Sequence, residues 1–274
     1  MQELSIEHLK ETELDILIEI DRFCRKQEIQ YSLAGGTLLG AVRHKGFIPW
    51  DDDIDLMMTR ENYDKFISLF SKEAGRYRVI TYQNNPQYNY LFAKVVDSQT
   101  KVVEDHNFPV DDLGVFVDIF PIDALGDTIV EAKQKLKKVK FKRFLCVASS
   151  WKHFYINQNR SFLRQVPRFL FFLMSRFINA HKENNKIEKQ FPFDKESQYW
   201  GCVCGSYEER EIMKRDVFTE YTDLEFEGIQ FMCIKAYDTY LSSLYHDYMK
   251  LPPQSKQVAH HTFVAYKKNQ KIRS

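Results

Sequence analysis

Four aspartates fall within five positions of this chain: Asp51, Asp52, Asp53 and Asp55. Carboxylates this close repel one another, and a hard divalent cation such as Mg²⁺ removes that cost. If the segment is a strand, Asp53 and Asp55 project to one face while Ile54 packs into the core, so the pair can share one or two ions. Asp51 has the same parity but stands beside Pro49-Trp50, at the strand's mouth. Upstream, Gly35-Gly36-Thr37 follows an apolar stretch and opens a helix. A glycine turn there lets phosphate oxygens approach backbone N–H groups at the positive end of the helix dipole. Asp118 is the best third carboxylate, because it interrupts the apolar run Val115, Phe116, Val117, Ile119, Phe120, where an uncompensated charge is costly.

The elements that must carry these residues read as an α/β pattern up to about residue 125. Apolar positions at helical spacing (Leu9, Leu14, Leu17, Ile20, Cys24) predict a helix over 6–28, with Ser5 as its N-cap. A strand over 29–34, a short helix over 37–44, a strand over 54–58 and a helix over 60–73 follow. Further strands are expected over 78–82, 91–96, 102–104 and 115–120, the last stopped by Pro121. From 127 to about 185 the texture becomes helical, and residues 131–143 hold seven Lys/Arg among thirteen. A turn at 225–228 precedes a helix over 234–249, ended by Leu251-Pro-Pro253. The expected division is a catalytic core over 1–125, a helical insertion over 126–220 and a C-terminal segment over 221–274 that packs back on the core.

At 274 residues with 44% apolar content the chain can bury a real core. Its 39 Lys/Arg nearly balance 38 Asp/Glu, which argues against a dedicated nucleic-acid binder. The five cysteines are scattered, and Cys202-x-Cys204 is too tight for the usual zinc pair, so reduced thiols are expected. The N-terminus is acidic and amphipathic, unlike a signal peptide, and the longest strongly apolar stretch (169–174) is far short of a membrane span. The expected location is the cytoplasm, with peripheral contact at the inner face of the cell membrane.

The pattern apolar-Gly-Gly-Thr, then Asp-apolar-Asp, then apolar-Asp-apolar resembles the polymerase-β-type nucleotidyltransferase superfamily. That resemblance implies a mixed α/β (α+β) core in which Asp53, Asp55 and Asp118 hold metal and Gly35, Gly36 and Thr37 receive phosphates. The stretch from Gly36 to Asp55 resembles more specifically the signature of the LicD family of phosphocholine transferases, related to the fukutin-type ribitol-phosphate transferases. Val117-Asp-Ile-Phe-Pro-Ile-Asp123, Phe226-Glu-Gly228, Tyr245-His-Asp-Tyr-Met-Lys-Leu-Pro-Pro253 and Ala259-His-His-Thr-Phe-Val-Ala-Tyr266 fit the same family. One departure is His246, where a glycine is expected. The resemblance implies that a sugar hydroxyl of a bacterial surface glycan (teichoic acid, capsule or lipopolysaccharide) attacks the distal phosphorus of CDP-choline and releases CMP. It implies Mg²⁺, with Mn²⁺ as a substitute, and a glycan acceptor, for which a lipid-linked precursor is one option. Arg43 and His44 become candidates for diphosphate contact, Asp51 for a further ligand, and Glu227 and His261 for substrate contact. A different CDP-alcohol (ribitol, glycerol, ethanolamine) and a true nucleotidyltransferase using NTP are the alternatives.

A choline headgroup donates no hydrogen bonds, so aromatic faces and carboxylates must recognise it. Trp50, Tyr88, Tyr90, Trp151 and Tyr199 are available for that purpose. Arg160, Arg164, Arg168 and Arg176 share helical spacing within 160–177, with Phe162, Leu163, Val166, Phe169, Leu170, Leu173 and Phe177 on the other side. Such a helix either turns its apolar side to the core and its arginines to water, or lies in a membrane interface.

Overall fold

In the computed structural model, which describes residues 1–72, 75–154, 162–257 and 263–268, the chain starts as a short strand, β1 (Gln2–Glu3), and continues into α1 (Ile6–Lys26). Ser5 begins that helix by accepting the His8 N–H at 3.3 Å, and Leu9, Ile16, Leu17, Ile20, Phe23 and Cys24 form its buried side. β2 (Ser32–Leu33) leads straight into α2 (Gly35–His44), so Gly35 and Gly36 are the first turn of the helix itself. Next come β3 (Asp55–Thr59), α3 (Arg60–Phe70), β4 (Tyr77–Ile80), β5 (Ala93–Asp97), β6 (Thr100–Glu104) and the long β7 (Phe116–Gly126).

Five of these strands form the central sheet in the order β2-β3-β7-β5-β4, with β3 and β7 parallel and the other pairs antiparallel. The sheet continues through β8 (Tyr199–Gly201), which pairs with the far end of β7, and β9 (Met213–Lys214), which pairs with β8. α1 and α3 pack on β7, and the buried core lies between them and the sheet. Three helices separate β7 from β8: α4 (Ile129–Ser149), α5 (Phe162–Ser175) and α6 (Ala180–Glu188). The hairpin β10 (Tyr221–Phe226) and β11 (Ile229–Ile234) precedes α7 (Tyr237–Tyr245). β12 (Phe263–Lys267) then closes a small sheet in the order β1-β12-β6. The architecture is therefore mixed α/β, as the sequence pattern predicts, and the described residues form seven α-helices.

Two expectations are corrected. Pro121 does not stop its strand: β7 runs five residues past it. The Asp118 N–H donates toward β3, to the Ile54 carbonyl, so by alternation position 121 faces the opposite edge. There β5 has ended at Ala93 and β8 begins only opposite Asp123, so no partner needs the N–H that proline lacks. The second correction concerns the helix expected over 234–249. Ile234 is the last residue of β11, paired with Tyr221, and the helix ends at Tyr245 because His246 turns to φ +63°. The prolines at 252–253 follow that end and do not cause it.

Candidate active site

β3 and β7 lie side by side in a register that sets Asp55 opposite Asp118, and β5 brings Lys94 opposite Asp118 from the other side. Three charged residues thus stand in one row across three adjacent strands whose other residues are mostly buried and apolar. Lys94 Nζ sits 2.6 Å from Asp118 Oδ1, and the same ammonium lies 3.3 Å from the centre of the Phe116 ring. Ile54 is buried and anchors the approach to β3, leaving Asp53 just ahead of the strand. Burial drives the Asp55 carboxyl well above the usual carboxylate range, and the charges of Asp53, Asp118 and Asp51 push it further while Lys94 opposes them. Four carboxylates therefore feel one another here. Among the described residues, no three His, Cys, Asp or Glu side chains form a ready metal-holding group.

The start of α2 explains its glycines. A Cβ on Gly36 would stand 2.6 Å from Asp51 Oδ2, and one on Gly35 would stand 3.3 Å from Asp55 Oδ2. Gly35 also has φ +48°, which a side chain disfavours. The helix N-terminus and the acidic segment therefore touch directly. Thr37 is buried and turned inward: its hydroxyl accepts the Asp55 N–H at 2.8 Å and donates to the Asp53 carbonyl at 3.4 Å. Its place is to clamp the Asp53–Asp55 backbone onto the helix rather than to face the cleft.

Other candidates are positioned elsewhere. Arg43 and His44 occupy the opposite end of α2, about 13 Å along its axis from Gly35. Arg43 donates to His44 Nε2 at 2.8 Å and to the Tyr248 carbonyl at 2.7 Å, so it ties α2 to the segment after α7. Trp50 meets His44 edge to face at 6.4 Å. Glu227 accepts the Phe47 N–H at 2.9 Å, and its own N–H donates to the Lys45 carbonyl at 2.8 Å. It braces the loop that returns from α2 toward Asp51. His261 lies outside the described residues.

A cavity of about 80 Å³ opens beside Gly35 and Asp55, with Met57, Phe120, Tyr207, Tyr240 and Glu211 among its walls. The Tyr240 hydroxyl receives the Gly35 N–H at 3.4 Å. Tyr245, whose hydroxyl is near Gly35, packs edge to face on Tyr207 at 5.2 Å. Burial pushes the Glu211 carboxyl up to about 7, against the Tyr207 N–H that donates to it at 2.7 Å. None of the five aromatics that the sequence suggests for a headgroup is on this wall; Tyr88 and Trp151 are buried, and Tyr88 packs on Tyr90 and Phe92. Lys94 was detectable by the signal that exposes Asp118, a lone charge in a buried apolar strand. The residues from 205 to 245 had no such signal, since their role arises only from the return of the chain to β7.

Residues 28–154 match the family described as LicD/FKTN/FKRP, nucleotidyltransferase domain, and this span includes the whole charged row and the start of α2. The chain is also 32% identical over 276 aligned residues to the lipopolysaccharide cholinephosphotransferase LicD of Haemophilus influenzae, covering 97% of this chain and 99% of that one. The chain belongs to the LicD family. It is accordingly a phosphotransferase of LicD type. A shorter likeness, 47% over 47 residues, links it to the human ribitol 5-phosphate transferase FKRP, covering 17% of this chain and 10% of that protein. Among the described residues, no helix is long and apolar enough to cross a membrane.

Proposed function

We propose that this LicD-family enzyme transfers phosphocholine from CDP-choline to a sugar hydroxyl of a bacterial surface glycan and releases CMP. The observation that carries the reading is the contact between the glycine turn of α2 and the carboxylates of Asp51 and Asp55, with Asp118 and Lys94 in the same row. A diphosphate brought there meets backbone N–H groups at a helix start, and its own negative charge requires a cation between it and the carboxylates. Asp53, Asp55 and Asp118 would hold Mg²⁺, or Mn²⁺ in its place: the donors are hard oxygens, and to the burial that raises Asp55 the charges of Asp53, Asp118 and Asp51 add a crowding that a cation relieves. When bound, the ion supplies charge neutralisation at the leaving CMP phosphate.

The protein's own residues do the rest. The acceptor oxygen attacks the distal phosphorus, the bond from that phosphorus to the bridging oxygen breaks, and the electron pair departs with CMP. The hydroxyl proton passes to the Asp118 carboxylate, which Lys94 holds in position. The cavity beside Asp55 takes the headgroup. Its aromatic and apolar walls suit a quaternary ammonium, and a bound cation would favour the ionised form of Glu211, whose carboxyl is raised by burial to about 7. The relative from H. influenzae carries cholinephosphotransferase in its name, which supports the same donor and a lipopolysaccharide acceptor. The likeness to FKRP favours CDP-ribitol as a second reading.

The test is CMP release from CDP-choline, CDP-ribitol, CDP-glycerol and CDP-ethanolamine with Mg²⁺ and a glycan acceptor. CDP-choline should turn over fastest, and Tyr240→Leu should raise its KM more than that of CDP-ribitol. Pyrophosphate release from an NTP, with no CMP from any CDP-alcohol, would replace this reading with nucleotidyl transfer.

A further inference from the structure

α5 is oriented the opposite way from a helix that supplies apolar surface to a core. Gln165, Arg168 and Ser175 are buried on its protein side. Arg168 donates to Gln165 Oε1 at 2.9 Å and lies over the rings of Trp151 and Phe154 at 5.5 and 5.8 Å. Just past the helix, Arg176 donates to the carbonyls of Ala148 and Trp151 at 2.7 and 2.9 Å. The outward side carries Val166, Phe169, Leu170, Leu173, Met174 and then Phe177, between 43 and 91% exposed. Steps of three and four residues align them in one stripe along the helix. Phe141 and Phe144 of α4 are also exposed and meet Phe171 at 5.2 and 5.3 Å, extending the patch across two helices. Of the sequence's two options, the solvated arginine face is therefore the wrong one for Arg168. A contiguous apolar face of this kind marks an interaction surface.

Charge identifies its occupant. Residues 129–177 contain 12 of the chain's 39 Lys/Arg and one of its 38 Asp/Glu, so this segment carries +11 and the remainder −10. Lys133, Lys137, Lys138, Lys140 and Lys142 are all exposed on α4; Lys133, Lys140 and Lys142 pair at its surface with Glu209, Glu208 and Glu183, and these exposed pairs are weak enough to exchange for lipid phosphates. A second copy seated on the patch about a two-fold axis would bring two such segments together, which their charge opposes. An anionic lipid surface matches both properties at once, with acyl chains for the stripe and headgroups for the lysines. We propose that the α4–α5 face docks on an anionic membrane leaflet, with the stripe from Val166 to Phe177 inserted at the acyl boundary. The proposal does not depend on which headgroup the enzyme transfers.

Flotation of the full chain with phosphatidylglycerol/phosphatidylethanolamine vesicles, against phosphatidylcholine vesicles, tests it. The unaltered chain should float with the anionic vesicles at low salt and lose most of that binding as salt rises. Leu170→Glu/Phe177→Glu should bind at least about tenfold more weakly, since two apolar side chains no longer enter the boundary. Both changes are on the surface, so the thermal midpoint and the CMP release with a water-soluble acceptor should be unchanged. Equal flotation of parent and variant would overturn the proposal, as would a dimer that the variant abolishes in a chain that binds no vesicle. Vesicle binding lost in the variant, in a protein that turns over no CDP-alcohol, would uphold docking and reject the donor reading.

Discussion

Asp55 accepts a burial cost that structure alone would not impose, and the cost follows from its neighbours. Its carboxyl is pushed upward by burial first and by Asp53, Asp118 and Asp51 next. Asp55→Asn removes the charge while keeping the shape, so it should leave folding intact or improve it. CMP release should fall by about a hundredfold or more, because several kcal/mol of charge stabilisation are lost at the phosphate. Measured together, the thermal midpoint and kcat separate the two roles, and a fall in both would make Asp55 a structural residue. Gly36→Ala probes the same contact from the helix. Alanine suits a helix interior better than glycine by about 1 kcal/mol, so the fold should hold. Its Cβ would meet Asp51 Oδ2 at 2.6 Å, and the side chain that must move is Asp51. A turnover loss of about tenfold at unchanged stability is the expected result, and full activity would remove Asp51 from the site.

At the level of elements, one buried ion-pair network ties α3 to β7 and α6. Arg60, the first residue of α3, donates to Asp123 Oδ1 at 2.7 Å and Glu188 Oε1 at 2.8 Å, with Arg60 and Asp123 both buried. Arg60→Met strands Asp123 without its partner and should cost about 3–5 kcal/mol in denaturant unfolding. At the end of α7, His246 holds φ +63°, and His246→Gly should raise stability by about 1 kcal/mol by relieving that strain. The sequence already suggested a glycine there, and the strain is the physical reason. Asp55 and Asp118 were legible because a charge inside an apolar strand needs a partner. Arg43 and His44 stand at the far end of α2 from its glycines, a separation that the predicted helix already contained and that the family resemblance did not weigh. Glu211 and Tyr207 were illegible, since no motif marks them and they reach the site by the pairing of β8 with β7, while Tyr240 lay in a predicted helix whose packing against α2 the sequence does not announce.

Across the whole molecule, the buried carboxyls set the pH dependence of stability. Glu7, Glu131 and Glu220 are lowered in pKa but fully exposed. Asp55, Asp123 and Glu211 are raised by burial. A raised carboxyl binds its proton more tightly in the folded chain than in the unfolded one, so its contribution is complete below the unfolded pKa and is lost as pH rises through the folded one. For Glu211 the window runs from 4.5 to about 7, which corresponds to about 3 kcal/mol. The thermal midpoint should therefore decline from pH 5 to pH 8, and Glu211→Gln should flatten that decline while retaining the acceptor for the Tyr207 N–H. Parallel curves for parent and variant would show that Glu211 is not the group that titrates. Mg²⁺ should oppose the remaining decline, because a cation binds the ionised carboxylates that destabilise the fold at high pH. Its stabilising effect should be larger at pH 8 than at pH 5 and should vanish in Asp55→Asn, whereas a uniform effect at both pH values would indicate that the ion binds away from the carboxylate row.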